Sequence, residues 1–455
     1  MAPWLTDWRG IWHGEAAALV SPETVAEVAD VVRTVVAASI PLVPQGGNTS
    51  MVGGATPDMR GDALILSLRR MNAIRMIEVG GLRAQVEAGV VLQSLHDAVT
   101  THGVRFPLSL GAKGSATIGG LISTNAGGVQ VLRHGTMRTL VLGLEAVLPD
   151  GSIHNGLAPL KKDNRGYDLT QLLIGAEGTL GVVTAATLKL EPAVADRAVA
   201  WIGLKSPQAA LTLLRFMERQ AARHIESFEL IPADSLALVL KHIPGTRAPL
   251  GSEHPWHVLV EYVVEETGVS AQAALTNLIT QALAVGLFVD AVIAQSEAQC
   301  AAFWHIRESI SAAERADGPA VQHDISVPVD AMPDFMISAA RALEAEFPGV
   351  NASAFGHLGD GNVHFHVRAP KRVDAGQWRA SVGKPVSRRV HDLVVAAGGS
   401  ISAEHGIGQM KRAELLRLSD PARIAVLRAI KAALDPHGIF NPGKLIPLAS
   451  DAEVQ

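Results

Sequence analysis

Pro44-Gln45-Gly46-Gly47-Asn48-Thr49-Ser50, with Gly53 just beyond it, opens a series of three glycine-rich stretches in the first 181 residues. The second runs through Leu110-Gly111-Ala-Lys-Gly-Ser115, Ile118-Gly119-Gly120 and Thr124-Asn125-Ala-Gly-Gly128. The third is Ile174-Gly-Ala-Glu177-Gly178-Thr-Leu-Gly181. Glycine exposes backbone N–H groups and tolerates positive φ, so such loops suit close approach of backbone to an anionic ligand. No G-x-x-x-x-G-K-[ST] occurs, which argues against a P-loop, and no G-x-G-x-x-G follows the first strand, which argues against a Rossmann site. Any one loop could be a run of turns. Three together, with Asn48, Thr49, Ser115 and Asn125 among them, read as a nucleotide cradle.

The rest of the composition bounds that reading. At 455 residues, two or three domains are expected. Apolar residues are 48% and charged residues 18%, so packed cores are affordable and disorder is not expected. A net charge of −5 without a Lys/Arg run argues against nucleic acid as a partner. The single cysteine, Cys300, excludes an internal disulfide framework and suits a reducing compartment. No secretory signal and no apolar run of membrane-crossing length is apparent, so a cytoplasmic protein that is not integral to a membrane is expected.

Hydrophobic periodicity outlines the elements. A helix over residues 23–39 is expected from Val25, Val28, Val32 and Val35, with Ser21 as N-cap and Pro22 at the first helical position. Short strands follow around 40–43, 63–66 and 84–88, and residues 141–155 read as a hairpin turning at Asp150-Gly151. After Glu191-Pro192 glycine thins and helix–strand alternation becomes regular, reading as an α+β domain with a mostly antiparallel sheet. Its helix over 296–315 opens with the capping-box pattern Ser296-Glu-Ala-Gln299 and carries Arg307 and Ser311 one turn apart on one face.

Histidine clusters at Gly356-His357-Leu-Gly-Asp-Gly-Asn362-Val-His364-Phe-His366. On a strand from Asn362, a period of two sends Val363, Phe365 and Val367 to one face and Asn362, His364 and His366 to the other. A lone strand histidine is more often a core residue than a ligand, and this spacing by itself is weak evidence for a metal. Ser402-Ala-Glu404-His405-Gly406 supplies a further carboxylate and imidazole. His357, His364 and Glu404 would make the three-ligand set of an open, catalytic type of zinc site.

The ordered loops and the two later motifs resemble the vanillyl-alcohol oxidase (PCMH) type of flavoprotein. Within it they are similar to the branch of D-2-hydroxyglutarate and D-lactate dehydrogenases. The resemblance runs from the first helix to Asp435-Pro-His-Gly-Ile-Phe-Asn441-Pro-Gly-Lys444. It implies an α+β fold: a two-lobed FAD-binding domain over 15–194, a substrate cap with a metal site over 195–412, and a segment over 413–455 that returns to the flavin. FAD contacts are implied at Gln45, Gly46, Gly47, Asn48, Thr49, Ser50, Gly53, Gly111, Ser115, Ile118, Gly119, Asn125, Gly128, Glu177, Gly178, Gly181 and Asn441. Some relatives tether the flavin covalently. The matching residue here is Asn48, so the FAD is expected to be non-covalent.

The relatives carry G-H-x-G-D-G-N-x-H and A-E-H-G in this order. That implies zinc or a similar divalent ion on His357, His364 and Glu404, with His405 as the base that takes the hydroxyl proton. It also implies Arg307, in Trp304-His-Ile-Arg307-Glu308, as a substrate-carboxylate contact, with Ser311, Gln322 and His366 lining the same pocket. The expected reaction is oxidation of a D-2-hydroxy acid, D-2-hydroxyglutarate first, to the 2-keto acid, with an electron-transfer flavoprotein or quinone taking the electrons. A homodimer is one option for assembly. Two departures bear on specificity. Gln322 stands where the hydroxyglutarate branch has a lysine, two residues before the aspartate of Asp324-Ile-Ser326-Val-Pro328, and His366 stands where that branch has Asn. A broader range of hydroxy acids is therefore expected. The competing readings are a D-lactate dehydrogenase, a glycolate oxidase-type flavin subunit, another chemistry on the same fold, and a non-catalytic nucleotide-binding module.

Overall fold

The computed structural model describes residues 1–221 and 223–447 and divides the chain into two compact units. The first holds Met1–Gly128, His134–Ala193 and the chain from Glu404; the second holds Val129–Arg133 and Val194–Ala403.

Within the first unit, Ala18–Val20, Leu64–Ser67 and Leu42–Gln45 pair in parallel, in that order, as a small sheet. The helix Val25–Ala37 covers it with Val28, Ala29, Val32 and Val35. The cap is Thr24, not Ser21: its hydroxyl accepts from the Glu27 N–H at 3.2 Å, while the Glu27 carboxylate accepts from the Glu23 N–H. The reciprocal pattern Thr24-x-x-Glu27 satisfies two otherwise orphaned donors, which Ser21-Pro22 cannot do. A five-stranded antiparallel sheet forms the other lobe, in the order Ile74–Glu78, Arg83–Glu87, Val182–Lys189, Val141–Val147 and Ile153–Gly156. Its last two strands are the expected hairpin, with Gly151 at φ +79° in the turn.

Two boundaries differ from the sequence reading. The return to the first unit begins at Glu404 rather than at 413, because the Ile407 and Gly408 N–H groups bind the buried Glu177 carboxylate at 2.7 and 2.8 Å. Residues 1–14 also belong to this unit. The Asp7 carboxylate gathers the Ile11 and Trp12 N–H groups at 2.7 Å each, and the Trp12 ring lies so close to Gly53 that a Cβ there would come within 2.8 Å of it. After the helix Pro421–Leu434, residues 439–441 run beside Leu42: Leu42 N–H donates to Ile439 O, and Asn441 N–H to Leu42 O. Phe440 is fully buried in the core of the small sheet. The final stretch of the expected 413–455 segment, 448–455, lies outside the described residues.

The second unit is a seven-stranded antiparallel sheet in the order Asp290–Ile293, Asp196–Leu204, Trp256–Val264, Ile225–Pro232, Asn351–His357, Asn362–Arg368 and Ala320–Ser326. One face packs the helices Pro207–Ala221, Ala271–Ala284, Met332–Glu346 and Lys384–Ala396; there Val363, Phe365 and Val367 enter the larger core. The other face meets Ala233–His242, Glu297–Glu308 and Ile310–Asp317. The single helix expected over 296–315 is thus two, meeting at Ser309, so Arg307 and Ser311 do not share one continuous helical face. The sequence has no breaker there. The two pieces are instead tied to different strands, Arg307 to Glu229 and Glu314 to His366. The excursion 129–133 joins this unit through Arg133, whose guanidinium reaches Glu226 at 2.9 Å and Glu265 at 2.6 Å. Among the described residues, no helix is long and apolar enough to cross a membrane.

Candidate active site

In the first unit the glycine loops stack on one another. A Cβ at Gly47 would lie 1.9 Å from the Ser115 carbonyl, one at Gly46 2.1 Å from Thr117 Oγ1, and one at Gly128 2.1 Å from the Ser109 carbonyl. A Cβ at Gly119 would lie 2.7 Å from the Ala88 Cβ. Part of the demand for glycine is therefore internal packing of backbone on backbone. Gly111, in contrast, has nothing within 4 Å of such a Cβ.

What packing leaves unmet is polar. Gln45 Oε1, Thr56 Oγ1, Thr117 Oγ1 and Asn441 Oδ1 are buried without hydrogen-bond partners. They gather on the same loops, since Gln45 Nε2 donates to the Ala55 carbonyl and Asn441 Nδ2 to the Gly54 carbonyl. Buried orphans are rare in folded proteins and mark places where a ligand completes the network. A hydroxyl such as Thr117 can donate to a phosphate oxygen, and the two amide oxygens can accept from sugar or ribityl hydroxyls. The donor set fits FAD.

Several expected cofactor contacts have duties inside the protein. Asn48, at φ +56°, donates its amide to the Pro3 and Thr6 carbonyls, and Arg69, stacked 4.5 Å from the Trp4 ring, donates to the Gly46 and Gly47 carbonyls. Ser50 Oγ accepts from the Val52 and Gly54 N–H groups, shaping its own turn. Asn125 Oδ1 accepts the Arg138 N–H, and Ile118 is buried in the lobe core. Gly178, at φ +70°, lies against the Pro44 ring, and Gly181 against the Val147 carbonyl. Glu177 changes role. Both of its oxygens are committed to Ile407 and Gly408, and its carbonyl accepts the Asn441 amide at 2.7 Å. Burial pushes its carboxyl upward while those two N–H donors oppose the shift. It is a staple that holds the Glu404-His405-Gly406 turn to this unit, with Gly406 at φ +81° against the carboxylate.

The second unit assembles the other candidates on one sheet face, and strand register explains how. Glu229 lies opposite His357, and His357 opposite Asn362, which faces Ser326. The next row is Phe355–His364–Asp324, and the next Ser353–His366–Gln322. Period-two alternation puts all of them on one side, away from Val363, Phe365 and Val367. His357, His364, His366 and Gln322 thus share one face of the sheet. Glu404 and His405 fold with the first unit.

Glu229 organises this face and was not singled out from sequence. It is 0% exposed, takes His357 Nδ1 at 2.6 Å on one oxygen and Arg307 Nε at 2.7 Å on the other. Burial opposes its charge, but His357 and Arg307 outweigh it and hold the carboxyl below its ordinary value. Burial likewise works against a charged His357, yet Glu229 carries it up to about 9. With Nδ1 directed at a carboxylate, Nε2 is the nitrogen left for a metal, which would displace its proton on binding; this is the usual orientation of a metal-binding histidine. His364 is pushed well below its ordinary value, first by burial and then by His357, so its ring is neutral and competent as a ligand. This donor chemistry fits a divalent ion.

Arg307 is not a solvated surface arginine. It is buried, its guanidinium lies 5.1 Å from the Phe355 ring centre, and Nη2 has no partner. His364 and His366 touch the same ring at 5.1 and 5.2 Å. Asp324 is buried and accepts the Asn362 amide at 2.9 Å. Asp324 stood in a quoted motif and could have been read from it. Glu229 lies in the strand Ile225–Pro232, where two acidic residues, Glu226 and Glu229, among apolar neighbours were the only signal.

The comparisons with known proteins agree with this architecture. Residues 194–445 match the family model described as FAD linked oxidases, C-terminal domain, and residues 16–156 match the one described as FAD binding domain. The chain is 36% identical to the mitochondrial D-2-hydroxyglutarate dehydrogenase of Arabidopsis thaliana, over 97% of this chain and 77% of that protein. It is also 36% identical to the D-2-hydroxyglutarate dehydrogenase of Xanthomonas citri pv. viticola, over 96% of this chain and 91% of the relative. A solved structure of p-cresol methylhydroxylase with substrate bound superposes with a TM-score of 0.74 at 16% identity, over 97% of this chain and 92% of that one. That likeness establishes the two-lobed flavoprotein fold. The chain belongs to the FAD-linked oxidase family, within the group that holds the D-2-hydroxyglutarate dehydrogenases.

Proposed function

We propose that this protein oxidises D-2-hydroxy acids to 2-keto acids, accepting D-2-hydroxyglutarate without being confined to it. The observation that carries the reading is the buried Glu229–His357–Arg307 triad, which pairs an oriented histidine ligand with an arginine whose Nη2 awaits an acceptor. Relatives named for D-2-hydroxyglutarate support the substrate class.

FAD, which the 44–50, 110–128 and 174–181 loops would hold non-covalently, would supply a hydride acceptor. Zinc or a similar ion, on His357, His364 and Glu404, would supply Lewis-acid polarisation of the substrate hydroxyl. The remaining work falls to the chain. Arg307 binds a substrate carboxylate through Nη2, with Glu229 and Phe355 fixing its guanidinium so that little side-chain entropy is lost on binding. His405 takes the hydroxyl proton at a ring nitrogen as the hydride departs, so that the alcohol loses both hydrogens and the ketone forms. Ser311, Gln322 and His366 shape the rest of the pocket. Gln322 supplies an amide where a lysine would supply a cation, which weakens the grip on a second carboxylate. Electron-transfer flavoprotein or a quinone would reoxidise the flavin.

A dye-coupled screen of D- and L-2-hydroxy acids with the purified, yellow protein tests this reading. Turnover confined to D-isomers, with all flavin released to the supernatant by acid precipitation, is expected. Turnover of L-isomers alone, or no turnover of any 2-hydroxy acid by flavin-loaded protein, would refute it.

A further inference from the structure

Among the described residues, the polar atoms buried and unmet on the Phe355 side of the second unit's sheet include Arg307 Nη2, Asn362 Oδ1 and Glu314 Oε1. The third has no place in the scheme above. Glu314 comes from the helix Ile310–Asp317, is fully buried, and binds His366 Nδ1 through its other oxygen. His366 in turn faces Gln322 across the strand pair and packs edge-on to Phe355, the ring that also carries Arg307. Arg368, the next cation on the same strand, is engaged through its two terminal nitrogens with Asp317, Asp234 and Asn351, while its Nε is buried without a partner.

We infer that Glu314 is a specificity-determining residue of the substrate pocket, an acceptor that disfavours a second carboxylate and favours a far end that is uncharged or donates a hydrogen bond. The inference rests on the functional reading above. An ionised carboxylate offers only acceptors. Brought to this wall, it would leave Glu314 Oε1 unmet and set like charges together in a site removed from water. An apolar tail carries no such penalty, and a hydroxyl or amine would satisfy the orphan. Glu314 thereby opposes whatever a second carboxylate gains at Arg307, and Gln322 adds no cation to restore the balance.

The test compares two substrates of equal carbon number, D-2-hydroxyglutarate and D-2-hydroxyvalerate, on the FAD- and metal-loaded enzyme with an artificial dye. The ratio of kcat/KM for diacid over monoacid is read on one preparation, so the folded fraction cancels. The unmodified enzyme should favour the monoacid or treat the two alike. Glu314→Gln and Glu314→Met should each raise the diacid ratio by roughly tenfold, the size of one charged contact. A diacid preference of tenfold or more in the unmodified enzyme would overturn the proposal without any variant. So would a ratio moved less than twofold in a flavin-loaded variant. Failure of the unmodified enzyme on every D-2-hydroxy acid would instead overturn the functional reading, and the role of Glu314 with it.

Discussion

Glu229→Gln should destabilise the second unit far more than the loss of one charge at a surface would. The carboxylate accepts at 2.6 Å from His357 and at 2.7 Å from Arg307, and it is wholly buried. The amide keeps one accepting oxygen and presents an NH2 on the other side. His357 can adapt by changing tautomer, but Arg307 Nε can only donate. The substitution thus keeps both hydrogen bonds only with a neutral His357, and it leaves the buried guanidinium of Arg307 without its counter-charge. Removing one partner of a buried ion pair costs ~3–5 kcal/mol. At ~2–4 °C per kcal/mol for a unit of this size, its thermal transition should fall by ~6–20 °C. The assay is a melt of the flavin-free protein followed by near-ultraviolet circular dichroism, which keeps cofactor binding out of the equilibrium. Arg307→Met should also lower the transition. The double variant should then cost less than the two losses added together, because both act on one contact. A Glu229→Gln transition within about 2 °C of the unmodified protein, or strict additivity in the double variant, would refute the view that Glu229 holds Arg307 in place.

Three further outcomes are expected. His364→Ala should strip the divalent ion, measured by metal analysis, while the flavin spectrum persists. Full metal retention would remove His364 from the ligand set. His405→Asn should keep flavin and metal but slow reductive turnover by roughly 10²- to 10⁴-fold, seen as the rate of flavin bleaching in stopped flow; an unchanged rate would place the base elsewhere. Lys444 is pulled down to about 8, chiefly by burial, so its charged form is penalised in the folded state and not in the unfolded one. That penalty is present in full below pH 8 and fades as pH rises toward the unfolded value. The first unit of the flavin-free protein should therefore gain ~3 kcal/mol between about pH 8 and 10.5 relative to Lys444→Met, by urea unfolding. Parallel pH profiles for the two proteins would contradict this.

Glycine loops, helix periodicity and the two histidine–glutamate motifs were legible because each is local. A positive φ, a capping hydroxyl or a period of two is set by residues a few positions apart. So the hairpin at Asp150-Gly151, the alternation from Asn362 to Val367 and the Pro421–Leu434 helix follow from the sequence itself. The small-sheet helix shows the limit of that approach: Ser21-Pro22 and Thr24-x-x-Glu27 are both plausible starts, and only the reciprocal hydrogen bonds choose between them.

What tertiary structure alone decided involves partners distant along the chain. The helix break at Ser309 has no local cause; it accompanies Arg307 reaching Glu229 and Glu314 reaching His366, 78 and 52 residues away. Glu177 looked like a cofactor contact within its glycine loop, and it became a staple because N–H groups 230 and 231 residues later needed an acceptor. Glu229 was invisible for the same reason. An acid at a core position of a strand gains its meaning only when register sets His357 beside it and a helix delivers Arg307, since burial of a charge is tolerated only where opposite charge meets it.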